Sequence, residues 1–169
     1  MKKKLPVSKN EDLILTIEDL TYQGMGVAKV DGYPLFIEGV LPQEKIKAHV
    51  VKVTKNYGFA KVIDFIEKSP DRVENEDKIY LQTGIAPLQN LSYSAQLKFK
   101  RKLVTDLLQK VHLDNLEVAD TLGMDTPYYY RNKAQVPVRE VNGKLEIGFF
   151  KRNSHDFVAM EHFLIQDKR

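Results

Sequence analysis

Tyr128-Tyr129-Tyr130-Arg131-Asn132-Lys133-Ala134-Gln135-Val136-Pro137-Val138-Arg139-Glu140-Val141-Asn142-Gly143-Lys144-Leu145-Glu146-Ile147-Gly148-Phe149-Phe150-Lys151-Arg152 reads as a β-hairpin. Asn-Gly between two alternating runs is a strong type I′ turn signal, because both central residues need positive φ. With Asn142 and Gly143 at the turn, Val138 faces Ile147 and Val136 faces Phe149 on an apolar side that a core would cover. The other side sets Arg139 opposite Glu146, Gln135 opposite Phe150 and Lys133 opposite Arg152, with Tyr129 and Arg131 further out. Pro137 strains this register, since it brings no N–H to the ladder; an edge, a bulge or a longer turn would accommodate it. Cations side by side repel unless an anion lies over them, and the stretch holds six Lys/Arg against two Glu.

Working outward, 169 residues suffice for one large domain or two small ones. Apolar content of 43% argues against wholesale disorder. No apolar run is long enough to span a bilayer, and the basic start, Met1-Lys2-Lys3-Lys4, has no apolar stretch behind it, so a cytoplasmic protein is expected. The absence of cysteine excludes disulfides, thiolate nucleophiles and cysteine-held metals. His49, His112, His155 and His162 lack the spacing of a metal site. Net charge is only +3, but the five Lys/Arg and one Asp of residues 93–111 form a second basic block beside the hairpin's. A solvated helix face would explain part of that block.

Residues 1–10 read as a flexible arm. Strand patterns follow: Leu13, Leu15 and Ile17 alternate, Gly24-x-Gly26 turns the chain, Asp31-Gly32 signals a hairpin, and a long alternating run from Lys45 shifts phase at Val50-Val51, as at a bulge. Asn56-Tyr57-Gly58 turns into a last strand. Five short strands in under sixty positions predict a small closed barrel over residues 11–67. Gly24 and Gly26 are not a phosphate loop, because a strand-like run follows them instead of a helix; they are expected to supply positive φ. Residues 68–92 read as an acidic linker and an irregular start to a second domain. Ser92 or Ser94 caps a helix whose stripe is Leu97, Val104, Leu107, Leu108 and Val111, and Asp156–Ile165 reads as a further strand.

Asp19-Leu20, Gly24-x-Gly26-Val27-Ala28, Gly32, Phe36, Gly39 and Leu41-Pro42-x-Glu44 resemble a TRAM domain, the small β-barrel of RNA-modifying enzymes, with Gln43 where that family usually has glycine. The resemblance implies an oligonucleotide-binding type of barrel, with Tyr22, Met25, Lys55 and Tyr57 in turns that meet RNA. Adding Pro87-Leu88-Gln89-Asn90-Leu91-Ser92-Tyr93-x-x-Gln96-Leu97, Tyr130-Arg131-Asn132-Lys133 and Gly148-Phe149-Phe150-x-Arg152-x-Ser154-His155, the chain is similar to bacterial 23S rRNA (uracil-C5)-methyltransferases. That resemblance implies a barrel followed by an α+β domain with an antiparallel sheet and one amphipathic helix. The second domain divides into a helical part at 93–124, which in the family packs on the methyl-donor domain, and the hairpin and strand at 125–169.

The family uses S-adenosylmethionine, a cysteine that adds to C6 of uracil and a carboxylate base. This chain has no cysteine and no glycine-rich donor motif, so it is expected to be a fragment, with neither catalytic residue nor cofactor of its own. Where many members hold an iron–sulfur cluster, it has Asp77, Thr83, Ala86 and Phe163; Leu81, Ile85, Ala86 and Phe163 are the expected replacement core. The implied partner is RNA, with phosphates on Arg131, Lys133, Lys151 and Arg152 and bases on Tyr129, Gln135 and Phe150; His155 joins them by its place in the motif. A non-enzymatic, ribosome-associated RNA-binding module is the alternative, and a protein–protein adaptor a weaker one. Without a covering domain, the stripe of the 93–111 helix is expected to drive dimerisation.

Overall fold

Alternating apolar residues build a six-stranded sheet: β1 (Asp12–Thr16), β2 (Asp19–Leu20), β3 (Gly26–Val30), β4 (Tyr33–Ile37), β5 (Lys45–Val53) and β6 (Gly58–Glu67). This computed structural model describes residues 5–74, 79–152 and 154–167. The chain divides into two units, residues 1–74 with 90–92, and residues 75–89 with 93–169.

In the first unit the sheet order is β1-β5-β6-β4-β3-β2, with β4 and β6 parallel and every other pair antiparallel. Where five strands of a closed barrel are expected there are six in a mixed sheet, and among the described residues no ladder joins β1 to β2. Its inward residues, Leu35, Ile37, Ile46, Ala48 and Val50, are fully buried. Asp31 (φ 48°) and Gly32 (φ 79°) make the β3–β4 turn that the sequence signals. Val50 pairs with Ala60 and Lys52 with Phe59, so Val51 is the bulged residue at the phase shift. Gln43 adopts φ 70°, the left-handed conformation that glycine takes most readily, and its N–H donates to Ile17 O at 2.9 Å.

Two other expectations change. Gly24 has positive φ but Gly26 does not; a Cβ at Gly26 would lie 2.2 Å from Val40 Cγ2, so close packing is what requires glycine there. Residues 5–10 do not hang free, since Val7 is buried in the core and Asn10 N–H donates to Val50 O at 2.8 Å. The stretch read as a linker is tied together at its two ends. Arg72 bridges Leu91, Val73 N–H donates to Asn90 O, and Ser92 N–H donates to Asp71 O.

The second unit contains α1 (Ile79–Thr83), α2 (Tyr93–Lys110), β7 (Val138–Val141), β8 (Lys144–Phe150) and β9 (Phe157–Ala159), with sheet order β7-β8-β9. The short helix α1 lies where irregular chain is expected, and β9 is three residues long, not the ten of Asp156–Ile165. Residues 118–124 strap α2: Arg101 Nε donates to Val118 O at 2.8 Å, Thr121 Oγ1 to Leu97 O at 3.0 Å, and Met124 N–H to Tyr93 Oη at 2.8 Å. The strap leaves Val104, Leu107 and Val111 exposed, while Leu97 and Leu108 are half-buried.

At the expected iron-cluster positions, Thr83 is buried and its hydroxyl donates to Tyr80 O, and Phe163 packs edge-on to Phe149 at 6.0 Å. Tyr80 and Met160 are buried, and Tyr80 Oη donates to His162 O. Ile85 is exposed, against its expected core role; Ala86 is half-buried. Asp77 and the Leu81 side chain lie outside the described residues.

Candidate nucleic-acid interface

The hairpin turn forms as its dipeptide dictates, with Asn142 at φ 53° and Gly143 at φ 79°. Val138 pairs with Ile147 and Arg139 with Glu146, the predicted register. The ladder then stops. Pro137 has no N–H, and its carbonyl only accepts from Gly148 N–H at 3.2 Å. The pairs Val136–Phe149, Gln135–Phe150 and Lys133–Arg152 do not form, and the side expected to be covered leaves Val138 and Ile147 about half exposed.

Freed from the ladder, residues 131–135 take another route. Tyr129 N–H donates to Leu164 O, Arg131 N–H to Ile165 O, and Asp167 N–H to Arg131 O, a parallel bridge between Arg131 and Gln166. Arg131, Asn132, Lys133, Ala134, Gln135, Phe149 and Gln166 thereby line one concavity of about 580 Å³. Neither Arg131 nor Lys133 pairs with an acid among the described residues. Two cations, three amides and a ring in one hollow suit an anionic, base-bearing ligand. Tyr129 does not line the hollow; it is exposed and, at φ 56°, in a conformation rare for a bulky residue.

The other expected residues are distributed differently. Phe150 and His155 line a second concavity of about 640 Å³ with Arg139, Glu140, Val141, Ser154 and Phe157. There the Arg139 guanidinium lies 5.4 Å from the Phe150 ring centroid, within cation–π range. Lys151 is paired with Asp156 at 3.4 Å, which offsets its charge. Arg152 lines neither hollow; its N–H donates to Gln82 O at 2.9 Å and its aliphatic stem lies against Gly84.

In the first unit, Tyr22 and Met25 occupy the β2–β3 turn, the former largely exposed and the latter half-buried. Lys55 and Tyr57 occupy the β5–β6 turn, closed by Thr54 N–H donating to Tyr57 O at 2.9 Å. Tyr57 meets two rings that the sequence reading did not assign to the site, Phe36 and Phe59. Their signal is faint: each is a large apolar residue on the outward phase of its strand.

Residues 8–63 match the TRAM domain family. Over 167 residues the chain is 58% identical to a Lactiplantibacillus plantarum protein named as an uncharacterized RNA methyltransferase, covering 99% of this chain and 36% of that protein. An Enterococcus faecalis protein of the same name is 49% identical over 166 residues, covering 98% and 36%. Among solved structures, Pyrococcus abyssi tRNA (uracil-54, C5)-methyltransferase in complex with S-adenosyl-L-homocysteine is similar in fold, with TM-score 0.57, 21% identity, and coverage of 92% of this chain and 33% of that one. The chain thus matches the TRAM domain family over residues 8–63 and is similar, along nearly all its length, to about a third of each of two proteins named RNA methyltransferases.

Proposed function

We propose that this chain is the RNA-binding portion of an S-adenosylmethionine-dependent ribosomal RNA uracil-C5 methyltransferase of the cytoplasm, with 23S rRNA as its partner. The observation that carries the reading is the hollow in which Arg131 and Lys133 stand beside Gln135 and Phe149, with no acid paired to either cation among the described residues. In this reading the two cations hold phosphates, while Gln135 and the ring edge meet an exposed base. Lys151 and Arg152 give weaker phosphate contacts, and Tyr129, Phe150 and His155 border the same strand of RNA. In the first unit Tyr22, Met25, Lys55 and Tyr57 meet RNA from the turns.

The methyl donor does not fit this chain. Neither α1 nor α2 follows a strand through a glycine turn, and no thiolate is present in the sequence, so no chemical step is assigned to these residues. No helix among the described residues is long and apolar enough to cross a membrane.

Binding of a labelled single-stranded RNA to the full chain, measured across a salt series, tests the proposal. If four phosphates are neutralised, the log–log slope is about −3, and Arg131→Ala/Lys133→Ala reduces its magnitude by about 1.4. A slope near zero, or unchanged binding by the double variant, overturns it. The second reading, a stand-alone RNA-binding module, shares these outcomes and is separated by whether methyl transfer to RNA requires the gene product that contains this chain.

A further inference from the structure

The outward side of the first unit's sheet carries a row of residues that neither the core nor the hollow described above uses. Register pairs place Lys52 on β5 beside Phe59 on β6, Phe59 beside Phe36 on β4, and Phe36 beside Val27 on β3. Their chain neighbours Leu35, Ile37 and Ala60 point inward and are buried, so by strand alternation Phe36 and Phe59 stand on the opposite side. Tyr57 completes the group from the β5–β6 turn. Ring centroids are 5.9 Å apart for Phe36–Phe59, 5.8 Å for Phe36–Tyr57 and 5.7 Å for Tyr57–Phe59. Lys52 Nζ lies 6.0 Å from the Phe59 centroid.

A cross-strand pair of rings stabilises a sheet without any ligand. Three features go beyond that need. The third ring projects from a turn and is 42% exposed, so burial gives it little reason to be aromatic. Lys52 lies beside the group, Lys55 shares the turn of Tyr57 and Lys61 follows Phe59 by two positions on β6, and none of the three pairs with an acid among the described residues. Lys29, by contrast, is engaged by Glu18 at 3.0 Å and adds no available charge. Rings with a cation beside them that no acid engages complement a flat π-system attached to a phosphate, the chemistry of a nucleotide.

We infer that Phe36, Tyr57 and Phe59 form a stacking platform for an unpaired nucleobase of single-stranded RNA, with Lys52 neutralising the adjoining phosphate. The inference rests on the RNA reading above but assigns a contact that does not involve Arg131 or Lys133. Every base has a π-face, so the platform accepts any of the four; a duplex, whose bases are already stacked and paired, gains nothing from it.

Fluorescence anisotropy of the full chain with labelled oligouridylate, an abasic oligomer of equal length and an RNA duplex tests it at constant salt. Tyr57→Ser and Phe36→Leu weaken oligouridylate binding about five-fold or more, Tyr57→Phe retains it, and all bind the abasic oligomer and the duplex as wild type does. The Tyr57 turn is held through its backbone N and O, so the serine variant keeps those hydrogen bonds and reports on the ring. Lys52→Ala lowers the magnitude of the salt slope by about 0.7, and the ring variants leave it unchanged. If Tyr57→Ser and Phe36→Leu bind oligouridylate normally while Arg131→Ala/Lys133→Ala does not, the platform is refuted and the RNA reading stands. Equal losses on single strand and duplex also refute it, and absence of RNA binding by wild type refutes both.

Discussion

Arg72 grips Glu44 with both edges of its guanidinium: Nε donates to Oε1 at 2.5 Å and Nη2 to Oε2 at 2.8 Å, and both side chains are almost completely buried. The carboxylate also accepts from the N–H groups of Leu41 and Ser69, Arg72 donates to Gly39 O at 2.8 Å, and the Phe65 ring lies 4.8 Å from the guanidinium. Removing either partner strands a charge in the interior. Glu44→Ala and Arg72→Ala are each expected to destabilise the first unit by about 3–5 kcal/mol in urea unfolding. Arg72→Lys recovers only part of this, because an ammonium cannot reproduce the fork. A loss smaller than about 1 kcal/mol would show that water reaches the pair.

Gly26 and Gly32 separate two reasons for glycine. At Gly26 an added methyl meets Val40 Cγ2, so Gly26→Ala is expected to cost about 1–3 kcal/mol, largely recovered in Gly26→Ala/Val40→Ala. At Gly32 there is open space but φ is +79°, so Gly32→Ala costs about 1 kcal/mol and no neighbouring truncation relieves it. Thermal melts of these three variants, and of Gly32→Ala combined with a neighbouring truncation, check both; equal rescue at the two sites contradicts the distinction.

Asp12 has a carboxyl pKa below its ordinary 3.8, first through its hydrogen bond with His49 Nδ1 at 2.6 Å and then through the charge of Lys47 at 3.6 Å. A depressed carboxyl pKa contributes stability above the unfolded value that disappears as pH falls through the folded one. The contribution is therefore complete near neutrality and is lost below about pH 3.8. Asp12→Asn should flatten the acid side of a stability–pH profile, and high salt should do the same to wild type because the group is exposed. An unchanged acid limb would dismiss the pair as a contributor.

The exposed Val104, Leu107 and Val111 on α2 are the basis for expecting self-association. Sedimentation equilibrium should show concentration-dependent dimers of wild type, and Leu107→Glu should yield monomers without loss of helicity. Monomers of wild type at the highest soluble concentration would remove the expectation.

Local chemistry made much of this fold legible. Asn142-Gly143 and Asp31-Gly32 require positive φ and obtained their turns, and the phase shift at Val50-Val51 marked its bulge. The misses have non-local causes. Pro137 stopped the ladder at the point where its missing N–H was already visible, but the alternative path beside Leu164–Asp167 involves residues about thirty positions away. Phe36 and Phe59 meet through a parallel pairing of strands that are not consecutive, a relation no local pattern encodes. In the site, the basic character of residues 131–133 was readable, whereas the separation of Arg152 from Lys133 depended on where the ladder ended. The acidic run after Ser69 resembled a linker because composition does not reveal that Arg72 has a partner 28 residues earlier.

That last tie has a practical consequence for dissecting the chain. A recombinant first unit trimmed after residue 67 would retain all six strands of its sheet yet discard the cation that satisfies the buried Glu44, and with it the short return of Asn90–Ser92. Such a piece would be prone to precipitate for reasons unrelated to RNA. A durable excision must carry the chain through Ser92, or replace residues 75–89 with a short bridge between the two hydrogen-bonded ends.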